Sequence, residues 1–306
     1  MPRFSIIITC YNQCNVIAEA IDSALAQSCS DKEIIVVDDC STDSSIEILK
    51  KYGGAITFVA SKKNQGAPGA RNQAAAVARG DFLVFLDGDD RLLPWALDVY
   101  SRVADRDQPK LILATMYFFR GLLPAEVTSN CPREIKAVGY EDYFSKDRAY
   151  RASASAMIVE RKIFNSVGGW TEGTFPADDQ DLLLKLGCAG PVVQITAPPT
   201  SAYRFHEGNA TRSVLPLVGA CHYLLSRERQ GYYPGGRERR LERHAVVGGF
   251  AFFMVKRAWQ SHLYPAGFRL LAAGWPMVSA AILRRCIALL RGRHAEETRD
   301  GLSEPV

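Results

Sequence analysis

The stretch Asp81-Phe82-Leu83-Val84-Phe85-Leu86-Asp87-Gly88-Asp89-Asp90 decides how the rest of the chain is read. Five consecutive apolar residues describe a short strand buried on both faces, and the run stops abruptly in three carboxylates. Like charges at a strand end repel one another unless a cation lies among them or one of them caps the next helix. Gly88 lets the backbone turn tightly, so that Asp87 and Asp89 converge on one point. Hard ions such as Mg²⁺ take oxygen ligands of this kind, usually one or two carboxylates completed by substrate phosphates. The plain alternative is a polar turn in which Asp90 caps the following helix. Position favours a site, because ligands of open α/β sheets bind beyond the carboxyl ends of the strands.

Outward from this strand, the preceding residues alternate between strand and helix. Residues 4–10, 33–37 and 55–60 read as strands. Residues 15–27 read as a helix with Ile17, Ala20, Ile21, Ala24 and Leu25 on one face. A second helix is capped by Ser41 or Thr42 and ends at Gly53-Gly54, and a third covers 69–79. This order predicts a parallel sheet with helices on both faces and every post-strand loop on one edge. Further on, 94–106 reads as a helix, 110–119 as one strand, 154–159 as a strand and 162–167 as a short helix. Residues 120–152 read as an irregular excursion toward an acceptor, or as a covering helix around Tyr140, Asp142, Tyr143 and Phe144.

The shared edge gathers Thr9, Tyr11 and Asn12, Asp38 and Asp39, the loop through Asn64 and Gly66, and Asp87-Gly88-Asp89, a set suited to a nucleotide. Neither G-x-G-x-x-G nor G-x-x-x-x-G-K-[ST] occurs, which argues against an NAD enzyme or a P-loop ATPase. Tyr11 either stacks on a base, worth roughly 1–3 kcal/mol, or packs on the next helix. Asp39 could accept the imino N–H of a uracil, with Asp38 the structural member of the pair. Arg71 and Asn72 either reach a phosphate or ribose or lie on a solvated helix face. Trp170, after two glycines, either lies flat against a sugar or is a core residue beside a tight turn. Asp178-Asp179-Gln180-Asp181 opens a helix, where the dipole favours acidic residues whatever their chemistry. Asp178 and Asp181 fall one turn apart and Asp179 projects elsewhere, with the character of a general base. His206, ending another strand, is an ordinary polar residue or, with a carboxylate, a ligand for a divalent metal.

Together Ser5-Ile6-Ile7-Ile8-Thr9-Cys10-Tyr11-Asn12, Val36-Val37-Asp38-Asp39-Cys40-Ser41-Thr42-Asp43, Asn64-Gln65-Gly66 with Ala70-Arg71-Asn72, Leu86-Asp87-Gly88-Asp89-Asp90, Gly168-Gly169-Trp170 and Asp178-Asp179-Gln180-Asp181-Leu182 resemble the family 2 glycosyltransferases of the GT-A fold, over residues 4 to about 212. The resemblance implies an α/β GT-A fold, a Rossmann-like, mostly parallel sheet with helices on both faces. It implies inverting transfer of a sugar from a nucleotide-diphosphate sugar to an acceptor hydroxyl, with Mg²⁺ or Mn²⁺. In that reading Thr9, Tyr11, Asn12, Asp39, Asn64, Gly66, Arg71, Asp87, Gly88 and Trp170 hold the nucleotide-sugar, Tyr11 and Asp39 at the base. Asp89 and His206 hold the metal and diphosphate, and Asp179 is the base. Three departures stand out: Cys10 where a proline is common, Asp178 in place of the glutamate of a Glu-Asp pair, and Cys40 where Asp-Asp-Gly-Ser carries glycine. A uridine nucleotide follows from Tyr11 and Asp39, and a bacterial cell-surface polysaccharide or lipopolysaccharide acceptor from the family. The rivals are a sugar nucleotidyltransferase and a non-catalytic nucleotide-sugar-binding protein. Against the first, the loop Tyr11-Asn12-Gln13-Cys14 has no cation; against the second, Asp87, Asp89 and Asp179 are all present.

The 306 residues, 47% hydrophobic and 23% charged, fall among ordinary globular proteins. Eight cysteines (Cys10, Cys14, Cys29, Cys40, Cys131, Cys188, Cys221, Cys286) form no C-x-x-C pair and no zinc-like spacing, as in a reducing, cytoplasmic compartment. The first residues enter a strand rather than a signal peptide, and the longest clean apolar run, 270–283, falls short of transmembrane length. The net charge of +4 divides into +8 over residues 201–306 and −4 over residues 1–200. These readings divide the chain into a catalytic part, 1–214, with the nucleotide-sugar at 1–110 and the acceptor side at 111–214, and a basic, aromatic-rich helical region, 215–306. That region either contacts anionic lipid at the cytoplasmic face of the inner membrane or covers the acceptor site or a dimer contact. Nucleic acid is disfavoured as a partner, since no binding motif accompanies the charge.

Overall fold

The computed structural model describes residues 1–129, 134–145, 153–209 and 212–290; Cys131, Arg291 and Arg293 lie outside them. Phe4–Cys10 (β1), Ile17–Leu25 (α1), Lys32–Asp38 (β2), Ser45–Lys50 (α2), Thr57–Ala60 (β3), Gly66–Val77 (α3) and Phe82–Asp87 (β4) follow the alternation expected from the sequence. Strands β3, β2, β1 and β4 are parallel neighbours in that order, and their register sets Thr9 opposite both Val37 and Asp87, and Cys10 opposite Asp38. Alternate residues serve two cores. Ile6, Ile8, Ile34, Val36, Val84 and Leu86 pack with Ile17, Ile21 and the next helix, whereas Ile7, Ile35, Val37, Leu83 and Phe85 face the opposite layer.

After β4 the sheet becomes mixed. Arg91–Leu92 (β5) and Ala96–Asp107 (α4) are followed by Leu111–Leu113 (β6) and Met116–Phe119 (β7), not by one strand. The chain changes sheets there: the Ala114 N–H still donates to Ala156 O beside β9, whereas Thr115 O accepts the Thr200 N–H at the start of β11, and Thr115 Oγ1 donates to Ile195 O. Next come Ala125–Ser129 (α5), Lys136–Tyr140 (β8), Met157–Glu160 (β9), Arg161–Ser166 (α6), Asp178–Lys185 (α7), Val192–Ala197 (β10) and Ser201–Arg204 (β11). The eight-stranded sheet runs β3-β2-β1-β4-β9-β6-β10-β8, with β9 antiparallel to β4 and β6. A three-stranded sheet, β5-β11-β7, stands beside it. The 120–152 segment therefore contributes an edge strand, β8, antiparallel to β10, rather than a covering helix at Tyr140.

Val214–Arg229 (α8), Arg240–Gln260 (α9) and Tyr264–Leu290 (α10) complete the described chain. Their apolar residues, including Leu224, Val247, Met254, Leu270 and Val278, are continuous with the core layer that holds Phe85, Trp170 and Leu182. Helices α9 and α10 touch backbone to backbone at Gly248, where a Cβ would lie 1.9 Å from Met277 O. Tyr264–Ile287 is long and apolar enough to cross a membrane by length and composition alone. A count of uninterrupted apolar residues misses this helix because Arg269 breaks the run without breaking the helix.

Candidate active site

The carboxyl ends of β2 and β4 carry the acidic groups, Asp38-Asp39 and Asp87, Asp89 and Asp90, and β1 between them ends in Thr9, Cys10 and Tyr11. Gly88 is glycine because of crowding rather than an unusual turn. A Cβ there would lie 2.5 Å from Thr9 O and 2.2 Å from Gln13 Oε1. Thr9 itself is buried, its carbonyl backing this contact, while Tyr11 is 49% exposed at the rim. Asn12, at φ 52, donates its N–H to Ser41 Oγ and accepts from Thr42 N–H at 2.7 Å. Ser41 and Thr42 are thus spent on the β1 loop, and the α2 start is served by Asp43 Oδ1, which accepts the Ser45 N–H at 2.9 Å. Cys40 adopts φ 63, the left-handed conformation that a glycine would take more readily, and its Sγ–H donates to Ser61 O at 3.1 Å.

Asp38 Oδ2 accepts the Ser41 N–H at 3.0 Å. Both oxygens of Asp39 accept the Gln65 N–H, at 2.9 and 3.0 Å, so the residue expected at the base also ties β2 to the start of α3. Asn64 Oδ1 accepts the N–H of Gly66, the first residue of α3, which begins three residues before its expected start.

Arg71 is neither on a solvated face nor turned to open solvent. It is buried, with Nη2 2.6 Å from Asp87 Oδ1 and Nη1 2.6 Å from Asp178 Oδ2. Burial works against its charge, but Asp87, Asp178 and Asp179 hold its pKa above the ordinary value. Asn72 clamps the Trp170 backbone, donating to its carbonyl and accepting its N–H at 2.9 Å. Trp170 is 2% exposed, edge-on to Phe85, with the Arg71 guanidinium 4.6 Å from its ring centre. The ring therefore lies in the core beneath Arg71 and offers no open face to a sugar.

The second carboxylate cluster divides as helix geometry requires. Asp178 meets Arg71, and Asp181 accepts from Thr171 Oγ1 and Tyr233 Oη. Asp179 points elsewhere; its Oδ1 is buried without a hydrogen-bond partner. Burial, then Asp178, push its pKa well above the ordinary carboxylate range against the pull of Arg71.

His206 Nε2 lies 2.7 Å from Asp89 Oδ2. Burial and neighbouring Asp87 raise the Asp89 pKa, and the His206 contact lowers it. Asp90 does not cap α4. Its Oδ2 accepts from Ser155 Oγ at 2.6 Å and its Oδ1 from the Arg204 N–H at 3.0 Å. Arg204 Nε donates to Asp89 O at 3.0 Å, Nη1 donates to Gly121 O, and Nη2 to Glu19. Ser155, Arg204 and Glu19 thus brace the acidic turn from distant parts of the chain, with no local signal to mark them. Asp89 and His206 supply one oxygen and one nitrogen donor; among the described residues no group of three His, Cys, Asp or Glu converges. Two protein donors suit a Mg²⁺ or Mn²⁺ ion whose other positions are filled by diphosphate and water, so the residues fit such an ion.

The strand order, the acidic ends of β2 and β4 and the unpartnered Asp179 oxygen on α7 place an acidic site at the carboxyl edge of an α/β sheet. The profile of the family described as Glycosyl transferase family 2 matches residues 5–157, and the chain belongs to that family. It is 32% identical to the cholesterol galactosyltransferase of Borreliella burgdorferi over 119 residues, 38% of this chain and 33% of that protein. It is 31% identical to the chondroitin synthase of Escherichia coli over 207 residues, 64% of this chain and 28% of that one. The chain thus spans about a third or less of the length of these relatives. The crystal structure of Staphylococcus aureus TarS 1–349 in complex with UDP-GlcNAc superposes with a TM-score of 0.59 at 19% identity, covering 97% of this chain and 93% of that one, which shows the GT-A fold.

Proposed function

We propose that this protein is an inverting glycosyltransferase that moves a sugar from a UDP-sugar to an acceptor hydroxyl on a bacterial cell-surface polysaccharide or glycolipid. The observation that carries this reading is Asp179: a buried carboxylate oxygen with no partner, on a helix whose neighbouring acid is fixed by Arg71 to the β4 carboxylate. Galactosyl transfer and UDP-GlcNAc binding in the named relatives support a UDP-sugar. We assign residues 1–214 to catalysis and 215–306 to a helical region in peripheral contact with the cytoplasmic face of the inner membrane.

Tyr11, exposed at the rim, stacks on the base, and Asn12, Asp39, Asn64 and Gly66 frame its pocket. Arg71 and Trp170 act from beneath, fixing Asp87 toward the ribose. Asp89 and His206 hold the divalent ion, which when bound supplies positive charge to the diphosphate as a Lewis acid. Asp179 accepts the acceptor hydroxyl proton as that oxygen bonds to the anomeric carbon from the face opposite the nucleotide. The bond from the anomeric carbon to the β-phosphate oxygen breaks, and its electron pair leaves with the nucleoside diphosphate. A positioned base contributes roughly 10²–10⁴-fold. The test is the anomeric proton of the product by NMR: inversion is expected, and retention rejects a single displacement.

A further inference from the structure

The peripheral contact proposed above can be made specific. One side of α10, with Ala266, Leu270, Met277, Val278 and Ala280, is buried in the protein. On the other side Tyr264, Phe268, Trp275, Ile282 and Leu283 are exposed, Phe268 by 61%, Trp275 by 57% and Leu283 by 51%. Spacings of four and seven residues return to the same side of a helix, so these side chains form one stripe. Exposed Phe252 of α9 adds to the apolar surface, with Lys256 Nζ 5.5 Å from its ring centre.

The charge around the stripe has one sign. Residues 244–290 include five Lys/Arg and no Asp or Glu, and Lys256, Arg269 and Arg285 are exposed. An apolar stripe whose own helix and the adjoining length of α9 carry cations and no acids complements a surface that is apolar within and anionic at its edge. The helix is apolar enough to cross a bilayer, but its inner side is held to α9 through the Gly248–Met277 backbone contact. Entry lengthwise would pull that packing apart, whereas lying flat leaves it intact. We infer that α10 is an interfacial helix that seats the protein on an anionic lipid surface, with the stripe at the acyl boundary and Lys256, Arg269 and Arg285 among the headgroups.

The test is flotation of the full chain with phosphatidylcholine vesicles, with and without about 30% phosphatidylglycerol. The unmodified chain floats with the anionic vesicles, less so in high salt. The F268E/W275E double variant binds at least about tenfold less, and K256E/R269E loses the preference for anionic lipid. Both variants keep the parental melting temperature and the parental rate on a soluble acceptor, which separates this inference from the catalytic one. Bromination of the acyl chains quenches Trp275 fluorescence in the unmodified chain, a reading that needs no variant to fold. No flotation or no quenching overturns the inference. So does undiminished binding by F268E/W275E, or a dimer in sedimentation that this variant dissolves, which would assign the stripe to a second copy.

Discussion

His206 Nε2 lies 2.7 Å from Asp89 Oδ2 across 117 residues of sequence. The contact follows from β11 running beside β5, with Arg204 donating to the Asp89 carbonyl two residues before the histidine. If the pair holds the ion, Asp89→Asn and His206→Ala each slow transfer by about 10²–10³-fold and raise the Mn²⁺ concentration needed for half activity. Nucleoside diphosphate release across a Mn²⁺ titration measures both. Parental rates at every Mn²⁺ concentration would remove the pair from metal binding.

Asp179→Asn is expected to lower the transfer rate by about 10²–10⁴-fold while raising stability near neutral pH. The folded protein holds the Asp179 proton more tightly than the unfolded chain does, because burial and Asp178 disfavour the anion. A raised carboxylate pKa gives stability that is fully present below the unfolded value and lost as pH rises through the folded value. Asparagine escapes that loss, so its melting temperature exceeds the parent's at pH 7 to 8, the gap closing below about pH 4. The parental rate rises with pH through the same raised value. A destabilised Asp179→Asn at pH 8 would show that the carboxylate is not strained.

What the sequence revealed and what it hid divide along a physical line. Parallel strands with continuous apolar runs, such as Ile6-Ile7-Ile8 and Leu83-Val84-Phe85, are legible because burial on both faces requires such composition. The separation of Asp179 from Asp178 was legible from helix spacing. The pairing of Arg71 with Asp178, the clamping of Trp170 by Asn72 and the bracing of Asp90 by Ser155 and Arg204 were not, since each pairs residues 65 to 114 apart. The division of 110–119 into strands of two sheets was hidden as well, since Ala114 pairs with Ala156 and Thr115 with Thr200, both far along the chain.

Arg71 answers two carboxylates from the core. Its side chain is 5% exposed and that of Asp178 is 4% exposed. Removing one partner of a buried pair leaves an uncompensated charge, so Arg71→Met costs about 3–5 kcal/mol at pH 7. Adding Asp178→Asn restores a large part of the loss, giving a non-additive cycle in urea unfolding. Strict additivity would show that Asp178 does not depend on the guanidinium.

Cys40 occupies φ 63 in the turn after β2, where a side chain at Cβ is unfavourable. The turn is held from several sides: the Asp39 N–H donates to Cys10 O at 2.8 Å, the Ser61 N–H to Asp38 O at 2.9 Å, and the Ser41 N–H to Asp38 Oδ2 at 3.0 Å. The left-handed conformation costs an L-residue about 1–2 kcal/mol. Glycine removes that cost, but gives the unfolded chain freedom worth about 0.4–1 kcal/mol and forfeits the weak thiol bond to Ser61. Cys40→Gly is therefore expected to unfold at an unchanged or higher urea midpoint, with a gain of at most about 1 kcal/mol. Cys40→Val, β-branched in the same conformation, is expected to lose more than about 1 kcal/mol. A glycine variant less stable than the valine variant would mean that the thiol, not the backbone, governs this turn.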